Sequence, residues 1–545
     1  MSFVYDGHFP FGEIRDAQRD AIDFAIDSFV NKGKRFVVIE AGTGVGKSAI
    51  GLTIARYMNA SHPEPEGGAF RNGSYFLTTQ KILQEQYVRD FGEPKGSMRQ
   101  LMSSSNYQCK FHKKQSCAES IRMLKMEQDK SSKFYRTCQF SCNYREEKAK
   151  FVNSNESITN FSYFLAETSY AGKLVPRSLL VVDEAHNTDT ELCGFIEISV
   201  SERFASAALK LEMPEIRTQF QAINWIKQEY FPKVRSVMKH YEETINKFDG
   251  LKEKISKDFV SIARQFEIME KHCAKIEKFL ELYDDENWVL NIAESEGKGS
   301  RKLEFKPVDI SPYAEQILFR SGRRVLMMSA TILNKEGFCQ SLGIHEDDCA
   351  FITIPSPFPP ENHPIFTYPI AKMSAGTIDQ DLPKLAQAVK AILDQHPNDK
   401  GIIHCHTFKI AKYLQQHVKS NRILIHGSED RIQKLQEHMS STKPTVLLSP
   451  SMQEGVDLKD DLSRFQIICK VPYPYLGDKI VKKRMHRWPW WYPLQTAKTI
   501  VQSIGRSVRS QDDHAVSYIL DADWNRFYDK NQDLFPQSFR KSLKG

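Results

Sequence analysis

The sequence predicts an α/β protein built from parallel sheets in two successive halves, with two insertions in the first half. Three observations carry this prediction. An apolar run at residues 36–39 leads into a glycine-rich loop and then into a helical pattern at residues 49–58. A second apolar run, residues 179–182, ends in two acids, and a new series of strand-like and helix-like segments follows residue 346. Such alternation of fully apolar strands with helices is typical of parallel sheets.

The composition is that of a globular protein with room for two or three domains. The chain has 545 residues, 41% hydrophobic and 26% charged, with a formal net charge of +7. This mild excess is compatible with a polyanionic partner without requiring one. The N-terminus lacks a leader pattern and no run approaches a bilayer span, so we expect a soluble, cytoplasmic protein that does not bind a membrane. Without a leader, the ten cysteines favour metal binding over disulfides.

The glycine-rich loop has the pattern of a phosphate-binding loop. In such loops, small residues let backbone N–H groups approach phosphates, and the helix N-terminus that follows favours negative charge. The lysine reaches the β- and γ-phosphates of a bound nucleotide, and the hydroxyl that follows it binds Mg²⁺. The candidate nucleotide-binding residues of the loop are Gly42, Thr43, Gly44, Gly46, Lys47 and Ser48.

The acids after the second strand complete this candidate site. Asp183, Glu184 and His186 belong to the sequence Asp-Glu-Ala-His. An acid at the carboxyl end of a parallel strand lies where open α/β sheets bind ligands. Asp183 is suited to hold Mg²⁺, and Glu184 to orient and deprotonate the attacking water. The combination predicts an ATP-hydrolysing site.

Together these two blocks resemble the motor of superfamily 2 helicases, and further blocks agree in order along almost the whole chain. The resemblance implies two RecA-like motor domains with ATP bound between them. It implies that Arg15 and Gln18 read adenine, and that a Ser-Ala-Thr block at residues 329–331 couples hydrolysis to domain movement. The other positions that it assigns are Thr78, Thr79 and Gln80 for the DNA backbone, His186, Gly455 and Asp457 for the nucleotide, and Gln502, Arg506 and Arg509 in the sixth motif.

The sixth motif also has a physical argument of its own. The charge of a departing γ-phosphate is stabilised by guanidinium groups. Arg506 and Arg509 are three residues apart, so on a helix both would face one side, and Gln502 would join them. Since they come from the second half, we expect them to complete the catalytic site only when the cleft between the halves closes.

Four cysteines lie between the loop and the Asp-Glu-Ala-His block: Cys109, Cys117, Cys138 and Cys142. Four thiolates in so short a stretch can close a metal site. An insertion at this place resembles the XPD/DinG-type iron–sulfur helicases, which implies a [4Fe–4S] cluster, although the spacing departs from the commonest family pattern. Zinc and free thiols remain alternatives.

A second insertion of about 140 residues precedes the Ser-Ala-Thr block. Apolar residues from Ile255 to Leu280 repeat at alternating steps of four and three, and a similar stripe runs from Val234 to Phe248. This pattern predicts an antiparallel helical hairpin with a turn at residues 249–250. The resemblance implies an arch domain; a dimerising coiled coil is the alternative.

These expectations divide the chain into six segments. The first motor domain occupies residues 1–104, 151–190 and 287–345, the cysteine domain 105–150, the arch 191–286, and the second motor domain 346–545. Within the last segment, residues 479–492 combine basic and aromatic side chains. They could bind phosphates and stack on bases, or equally pack the domain core.

The predicted function is that of an ATP-dependent helicase on single-stranded or forked DNA, acting as a monomer in the cytoplasm, nucleoid or nucleus. The family resemblance implies 5′→3′ movement and a role in DNA repair. An RNA-remodelling ATPase and an ATP switch that separates no strands are the alternatives. A P-loop kinase is disfavoured, because it would not need the sixth motif.

Overall fold

The computed structural model describes residues 4–42, 44–124, 127, 129–171, 174–247, 257–294, 300–427, 430–450, 458, 460–505, 507–508 and 513–544. Its strands, in chain order, are β1 (Phe36–Ala41), β2 (Arg71–Thr78), β3 (Arg99–Gln100), β4 (Glu156–Asn160), β5 (Arg177–Asp183), β6 (Ile198–Ser201), β7 (Trp288–Glu294), β8 (Arg301–Pro307), β9 (Gly322–Ser329), β10 (Cys349–Ile354), β11 (Ile365–Ala371), β12 (Gly401–His404), β13 (Ile423–Ile425), β14 (Val446–Ser449), β15 (Phe465–Ile468), β16 (Val516–Asp521) and β17 (Leu543–Lys544).

The α-helices flank these strands and form the insertions. In chain order they are α1 (Asp16–Val30), α2 (Lys47–Ser61), α3 (Lys81–Phe91), α4 (Cys117–Leu124), α5 (Lys133–Phe140), α6 (Asn143–Asn153), α7 (Phe161–Ala166), α8 (Thr188–Ile196), α9 (Glu202–Leu209), α10 (Gln219–Trp225), α11 (Phe231–Asn246), α12 (Lys257–Leu282), α13 (Ser311–Ile317), α14 (Lys335–Leu342), α15 (Ile378–Gln395), α16 (Phe408–His417), α17 (Arg431–Ser440), α18 (Lys479–Arg487), α19 (Trp491–Ile504), α20 (Asp523–Asn531) and α21 (Gln537–Ser542).

The first sheet brings the predicted motifs to one edge. In the described residues its seven strands run in the order β10-β1-β9-β5-β2-β4-β3, and all neighbouring pairs are parallel. Glu40 of β1 is in register with Ser329 of β9, and Asp183 of β5 with Met328. Since parallel strands end at the same edge, the glycine-rich loop, the Ser-Ala-Thr block and the Asp-Glu-Ala-His block become neighbours there.

One predicted boundary is wrong at this sheet. Strand β10 pairs in parallel with β1 along its whole length, from Cys349 opposite Phe36 to Ile354 opposite Ala41. The first motor domain therefore extends past residue 345, to the end of β10. An apolar strand cannot be assigned to one of two successive parallel sheets from its own sequence, because its partner is more than 300 residues away.

The second sheet confirms the predicted second α/β half. Its strands run in the order β13-β14-β12-β15-β16-β11-β17, again with parallel neighbours throughout the described residues. Residues of β12, β14 and β15 are buried, with helices α15 and α16 packed on one face and α19 and α20 on the other. The two parallel-sheet domains are the predicted RecA-like pair.

The second insertion contains the predicted pair of long helices, α11 and α12, packed against each other. Met269, Cys273 and Ile276 on α12 are buried, so the periodic stripe is a packing face within the chain. The turn at residues 249–250 lies outside the described residues, as do Phe248 and Ile255. The predicted boundary at residue 286 is wrong, because β7 and β8 form a separate antiparallel sheet with β6 of the insertion and pair with no strand of the first motor sheet in the part of the chain described.

The cysteine segment folds as three short helices, α4, α5 and α6, beside the tip of the hairpin. Met123 and Phe134 from these helices form an apolar cluster with Ile245 and Ala263 of the hairpin. The two insertions are therefore in contact. Among the helices described, none is long and apolar enough to cross a membrane.

Candidate active site

The glycine-rich loop joins β1 to α2 with two residues in the left-handed region. Gly44 has a φ of 81° and Gly46 a φ of 91°, values that glycine adopts without strain. A Cβ added to Gly44 would lie 2.1 Å from the ring of Phe358, so the segment entering the second domain packs directly on the loop. Lys47 begins α2 and its Nζ donates to the Ala41 carbonyl at 3.3 Å. Thr43 lies outside the described residues.

The two residues predicted to read adenine are held against this loop. Arg15 Nη2 and Gln18 Nε2 both donate to the Val45 carbonyl, at 2.7 and 2.9 Å. The Gln18 Oε1 accepts the backbone N–H of Arg15 at 3.0 Å, which closes the first turn of α1. Both side chains are thus adjacent to the candidate phosphate site, and their contact with adenine remains a prediction.

Asp183 lies at the centre of the site with both carboxylate oxygens engaged. Its Oδ1 accepts the backbone N–H of Glu184 at 2.9 Å, and its Oδ2 accepts the hydroxyl of Tyr87 at 2.9 Å. Burial raises the pKa of Asp183, and the nearby ammonium of Lys47 opposes that shift. The ammonium of Lys47 therefore lies near the Asp183 carboxylate, and the catalytic roles of both residues stay predictions. Glu184 follows in a left-handed conformation with φ of 51°.

A chain of polar contacts leads from Asp-Glu-Ala-His to the Ser-Ala-Thr block. His186 Nδ1 lies 2.8 Å from Ser329 Oγ and 3.4 Å from a carboxylate oxygen of Glu184. The Ser329 hydroxyl accepts the backbone N–H of Thr331 at 3.1 Å. His186 is thus in contact with the residue predicted to act in hydrolysis and with the block predicted to transmit it.

The second domain reaches the same place through α19. Gln502 Nε2 donates to Thr331 Oγ1 at 3.0 Å, and Lys498 Nζ donates to the His186 carbonyl at 3.4 Å. Helix α19 ends at Ile504, and the face that we expected Gln502 to share with the two arginines stays a prediction. Arg506, Arg509, Gly455 and Asp457 lie outside the described residues.

A buried carboxylate near the end of β1 holds the turn that follows the Ser-Ala-Thr block. Glu40 Oε1 accepts the backbone N–H groups of Ile332 and Leu333, each at 2.7 Å, and its Oε2 accepts the Thr353 hydroxyl at 3.2 Å. Leu333 has a positive φ of 64°, so the turn after the Ser-Ala-Thr block depends on these bonds. Burial raises the pKa of Glu40, and its hydrogen bonds and Lys498 oppose that shift.

The predicted DNA-contact segment follows β2. Thr78 is fully buried and its hydroxyl donates to the Gln80 carbonyl at 3.3 Å, so its side chain is not available to a DNA strand in this conformation. Thr79 and Gln80 are half-buried at the N-terminus of α3. The sequence pattern does not distinguish the last inward-facing residue of a strand from the exposed residues that follow it.

All four predicted metal ligands line one cavity. Cys109, Cys117 and Cys138 are buried, Cys142 is half-buried, and the Sγ atoms of Cys117 and Cys142 are 3.6 Å apart. Lys110 and Arg145 line the same cavity. Within the described ranges, no group of three or more His, Cys, Asp or Glu residues is placed to hold a metal ion.

Hydrogen bonds and burial affect these thiols differently. Burial raises the pKa of Cys117 and so do the neighbouring thiols, Cys142 first. Burial also acts to raise the pKa of Cys109, but hydrogen bonds from His112, Ser120 and the backbone lower it to about 7. The sulfur of Cys109 accepts the backbone N–H of His112 at 3.2 Å.

Part of the basic and aromatic segment at residues 479–492 is buried where the two domains meet, whereas Lys482, Lys483, His486 and Arg487 are exposed. Arg484 is buried and its guanidinium binds both carboxylate oxygens of Asp189 in α8, at 2.7 and 3.2 Å, and the Val308 carbonyl at 2.8 Å. Trp488 and Trp491 are buried. For these three side chains, packing explains the pattern that could also have indicated nucleic-acid binding.

Tyr87, Glu40, Lys498 and Arg484 are the site residues that sequence reasoning missed. Tyr87 occupies an apolar position of an amphipathic helix, which signals only core packing. Only Glu40 had a signal in the sequence, because an acid within an apolar strand directly before the glycine-rich loop indicates a specific polar role. The other two contacts depend on how the domains meet.

Comparisons with known proteins agree with this architecture. Residues 398–542 match a family model described as Helicase C-terminal domain, and residues 11–225 match one described as Type III restriction enzyme, res subunit. The chain is 25% identical over 246 residues to the ATP-dependent DNA helicase DinG of Photobacterium profundum, covering 42% of this chain and 35% of that protein. It is 22% identical over 233 residues to the ATP-dependent DNA helicase YoaA of Escherichia coli, covering 40% and 36%.

Two solved structures share the fold over nearly the full length. A structure titled XPD helicase aligns with a TM-score of 0.63 and 16% identity, covering 96% of this chain and 99% of that one. Another, of Xpd4 from S. tokodaii, aligns with a TM-score of 0.59 and 14% identity, covering 97% and 99%. These matches show the fold, an architecture of two parallel-sheet α/β domains. The chain is thus similar to the DinG and YoaA helicases in sequence and to the XPD structures in fold. The matched region spans about a third of each of these two relatives.

Proposed function

We propose that this chain is an ATP-dependent DNA helicase that moves along single-stranded DNA and separates forked duplexes. The observation that carries the proposal is the contact of α19 with the first domain, where Gln502 binds Thr331 and Lys498 binds the His186 carbonyl. Residues at a hydrolysis site are thereby linked to a second domain, and such a link is what converts ATP turnover into movement. The names of the DinG and YoaA relatives support DNA as the substrate.

In this proposal the first domain binds the nucleotide. The loop residues Gly42, Thr43, Gly44 and Gly46 cradle the phosphates, and Arg15 and Gln18 recognise adenine beside the loop. Lys47 neutralises the β- and γ-phosphates, and Ser48 with Asp183 holds Mg²⁺, which supplies charge stabilisation when bound. Glu184 accepts a proton from the attacking water, and His186 keeps Glu184 in contact with Ser329.

The second domain completes the site when the cleft closes. Arg506 and Arg509 stabilise the charge on the transferred phosphoryl group, as guanidinium groups do in related phosphoryl-transfer sites. Gln502 aligns them through its bond to Thr331, and Gly455 with Asp457 contributes to the nucleotide pocket. When the γ-phosphate is lost, the two arginines lose their partner and the cleft between the domains opens.

The DNA strand crosses both domains, with Thr79 and Gln80 as the accessible backbone contacts on the first. Thr78 contributes only if its turn opens, because its side chain is buried. We propose 5′→3′ movement and a DNA-repair role from the family resemblance. The buried stripe of α12 favours a monomer over a coiled-coil dimer, because its apolar residues already have partners within the chain.

We also propose that the four cysteines hold a [4Fe–4S] cluster. Four thiols line one cavity, as the ligands of a cluster must, and Lys110 and Arg145 offset the charge of thiolates. The resemblance to the iron–sulfur helicases, not the size of the cavity, favours a cluster over zinc. When bound, the cluster would stabilise a small domain that has little apolar core of its own. Visible absorbance with iron and sulfide analysis of anaerobically purified protein tests this. Stoichiometric zinc without sulfide would overturn it.

Strand-separation assays test the helicase proposal directly. Duplexes with a 5′ DNA tail, a 3′ DNA tail or a 5′ RNA tail are incubated with ATP, and Lys47→Ala serves as the inactive control. We expect separation from the 5′ DNA tail only. ATP hydrolysis without separation of any duplex would favour an ATP switch, and stimulation by RNA alone would favour an RNA-remodelling enzyme.

A further inference from the structure

The hydroxyl of Tyr87 lies between two residues of the proposed Mg²⁺ site. It donates to Asp183 Oδ2 at 2.9 Å, and the side chain of Ser48 is hydrogen-bonded to the same hydroxyl. The ring is only 2% exposed and packs against Phe76 and Phe91. A phenol held on two sides by aromatic rings has little freedom to leave this position.

The hydroxyl is the donor in its bond to Asp183 and the acceptor in its bond to Ser48. A phenol has one proton to give, and the acceptor is the Asp183 carboxylate, while its oxygen is free to accept from Ser48. The other carboxylate oxygen of Asp183 is already bound by the N–H of Glu184 at 2.9 Å. Together these bonds fix the rotation of the carboxylate and its separation from the Ser48 side chain.

We propose that Tyr87 is a positioning residue that sets the Mg²⁺ affinity of the nucleotide site by holding Asp183 and Ser48 at a fixed separation. The proposal rests on the proposed function, in which these two residues hold Mg²⁺. Tyr87 is not itself a ligand of Mg²⁺ in this proposal; it acts through the two residues that would hold the ion.

Tyr87 also connects this site to the DNA-contact segment. Helix α3 begins at Lys81, directly after Gln80, and buries Gln84, Tyr87 and Phe91 along one face. Gln84 Nε2 donates to the Leu101 carbonyl at 3.1 Å, so the helix is fixed on the same buried side. A DNA strand bound at residues 79–80 would pull on the N-terminus of α3, and the buried side chains that hold the helix would pass part of this strain to the Tyr87 hydroxyl. Strand binding therefore changes Mg²⁺ affinity.

The test compares Tyr87→Phe with the matched control Tyr75→Phe. Both remove one hydroxyl from a buried tyrosine of the first domain, and the Tyr75 hydroxyl donates to the Val175 carbonyl at 3.0 Å, away from the site. The Mg²⁺ concentration for half-maximal ATP hydrolysis is measured, together with the affinity for a fluorescent ADP in Mg²⁺ and in EDTA. Thermal unfolding confirms that both variants fold.

We expect Tyr87→Phe to raise the half-maximal Mg²⁺ concentration about tenfold, and to weaken ADP binding by a similar factor in Mg²⁺ but not in EDTA. Tyr75→Phe should match the wild type in its half-maximal Mg²⁺ concentration and in its ADP affinity both in Mg²⁺ and in EDTA. Equal Mg²⁺ dependence of Tyr87→Phe and the wild type would overturn the proposal. A general structural defect is also recognisable, since it would weaken ADP binding in EDTA as well.

A measurement on the unmodified protein covers the case in which Tyr87→Phe does not fold. Single-stranded DNA should shift the Mg²⁺ dependence of ADP binding by severalfold in the wild type, and an unchanged dependence overturns the link through α3. The two proposals fail in different assays. Strand separation tests the helicase function, whereas ADP binding with and without Mg²⁺ tests the role of Tyr87 and can be measured even if the protein separates no strands.

Discussion

The buried ion pair between Arg484 and Asp189 gives the sharpest stability prediction. Arg484 lies in α18, which leads into the helix of Gln502, and Asp189 lies in the first turn of α8, three residues after His186. Their side chains are 10% and 20% exposed, and the pair is bidentate at 2.7 and 3.2 Å. The contact therefore joins the two motor domains beside the candidate active site.

The substitution Arg484→Met keeps much of the apolar stem and removes the charge. It leaves the Asp189 carboxylate and the Val308 carbonyl without their main donor in a site mostly closed to water. Breaking a buried pair in this way typically destabilises a protein by about 3–5 kcal/mol. At roughly 2–4 °C per kcal/mol for domains of this size, the Tm should fall by about 6–20 °C.

The matched control is Arg487→Met, one turn later on the same helix. Arg487 binds the buried carboxylate of Asp309 at 3.0 Å, but its own side chain is 47% exposed, so solvent screens this pair and its loss should cost only about 1 kcal/mol. Differential scanning fluorimetry of both variants, and of Arg484→Met combined with Asp189→Asn, separates the effects. The double variant should recover part of the loss, since no buried charge is left unpaired. Equal Tm values for the two single variants would refute the argument.

Three further predictions address other parts of the chain. Lys47→Ala should abolish ATP turnover while circular dichroism and the Tm stay unchanged; normal turnover in a phosphate-release assay would contradict the loop assignment. Cys138→Ser should remove the visible absorbance of an iron–sulfur cluster and reduce strand separation more than ATP affinity, whereas an unchanged spectrum would exclude this ligand. Burial, with a smaller contribution from Lys275, lowers the pKa of His272 to about 4, so the folded protein should lose up to about 3 kcal/mol as pH falls from 6.5 towards 4. Tm measured across this range should fall less for His272→Gln; parallel curves would show that another group is responsible.

Much of the motor could be predicted because its signals are local. Strands β1, β5, β12 and β14 are continuous apolar runs, and the loop before α2 needs glycine where φ is positive. The convergence of Lys47 with Asp183 followed from the rule that parallel strands end at one edge. These inferences need only the order of residues within a short segment.

What escaped prediction depends on distant partners. Strand β10 belongs to the first sheet because β1 lies beside it. Strands β7 and β8 lie outside that sheet because β8 pairs with β6 on one side and with β7 on the other. The sequence predicts only that Tyr87 is a core residue. Its role at the site is visible only from the 2.9 Å hydrogen bond between its hydroxyl and Asp183 Oδ2 in the structure. No periodicity or spacing carries that information.

The small antiparallel sheet has a consequence for how the helical insertion can vary. Strand β6 leads into the insertion and β8 leads out of it, and the two are hydrogen-bonded neighbours, with Val200 opposite Leu303. The insertion therefore begins and ends at the same pair of strands. Lengthening or shortening the helices at its far end would leave the positions of β6 and β8 unchanged. Grafting a different hairpin between residues 202 and 287 is therefore the natural way to alter the insertion while both motor domains stay unchanged.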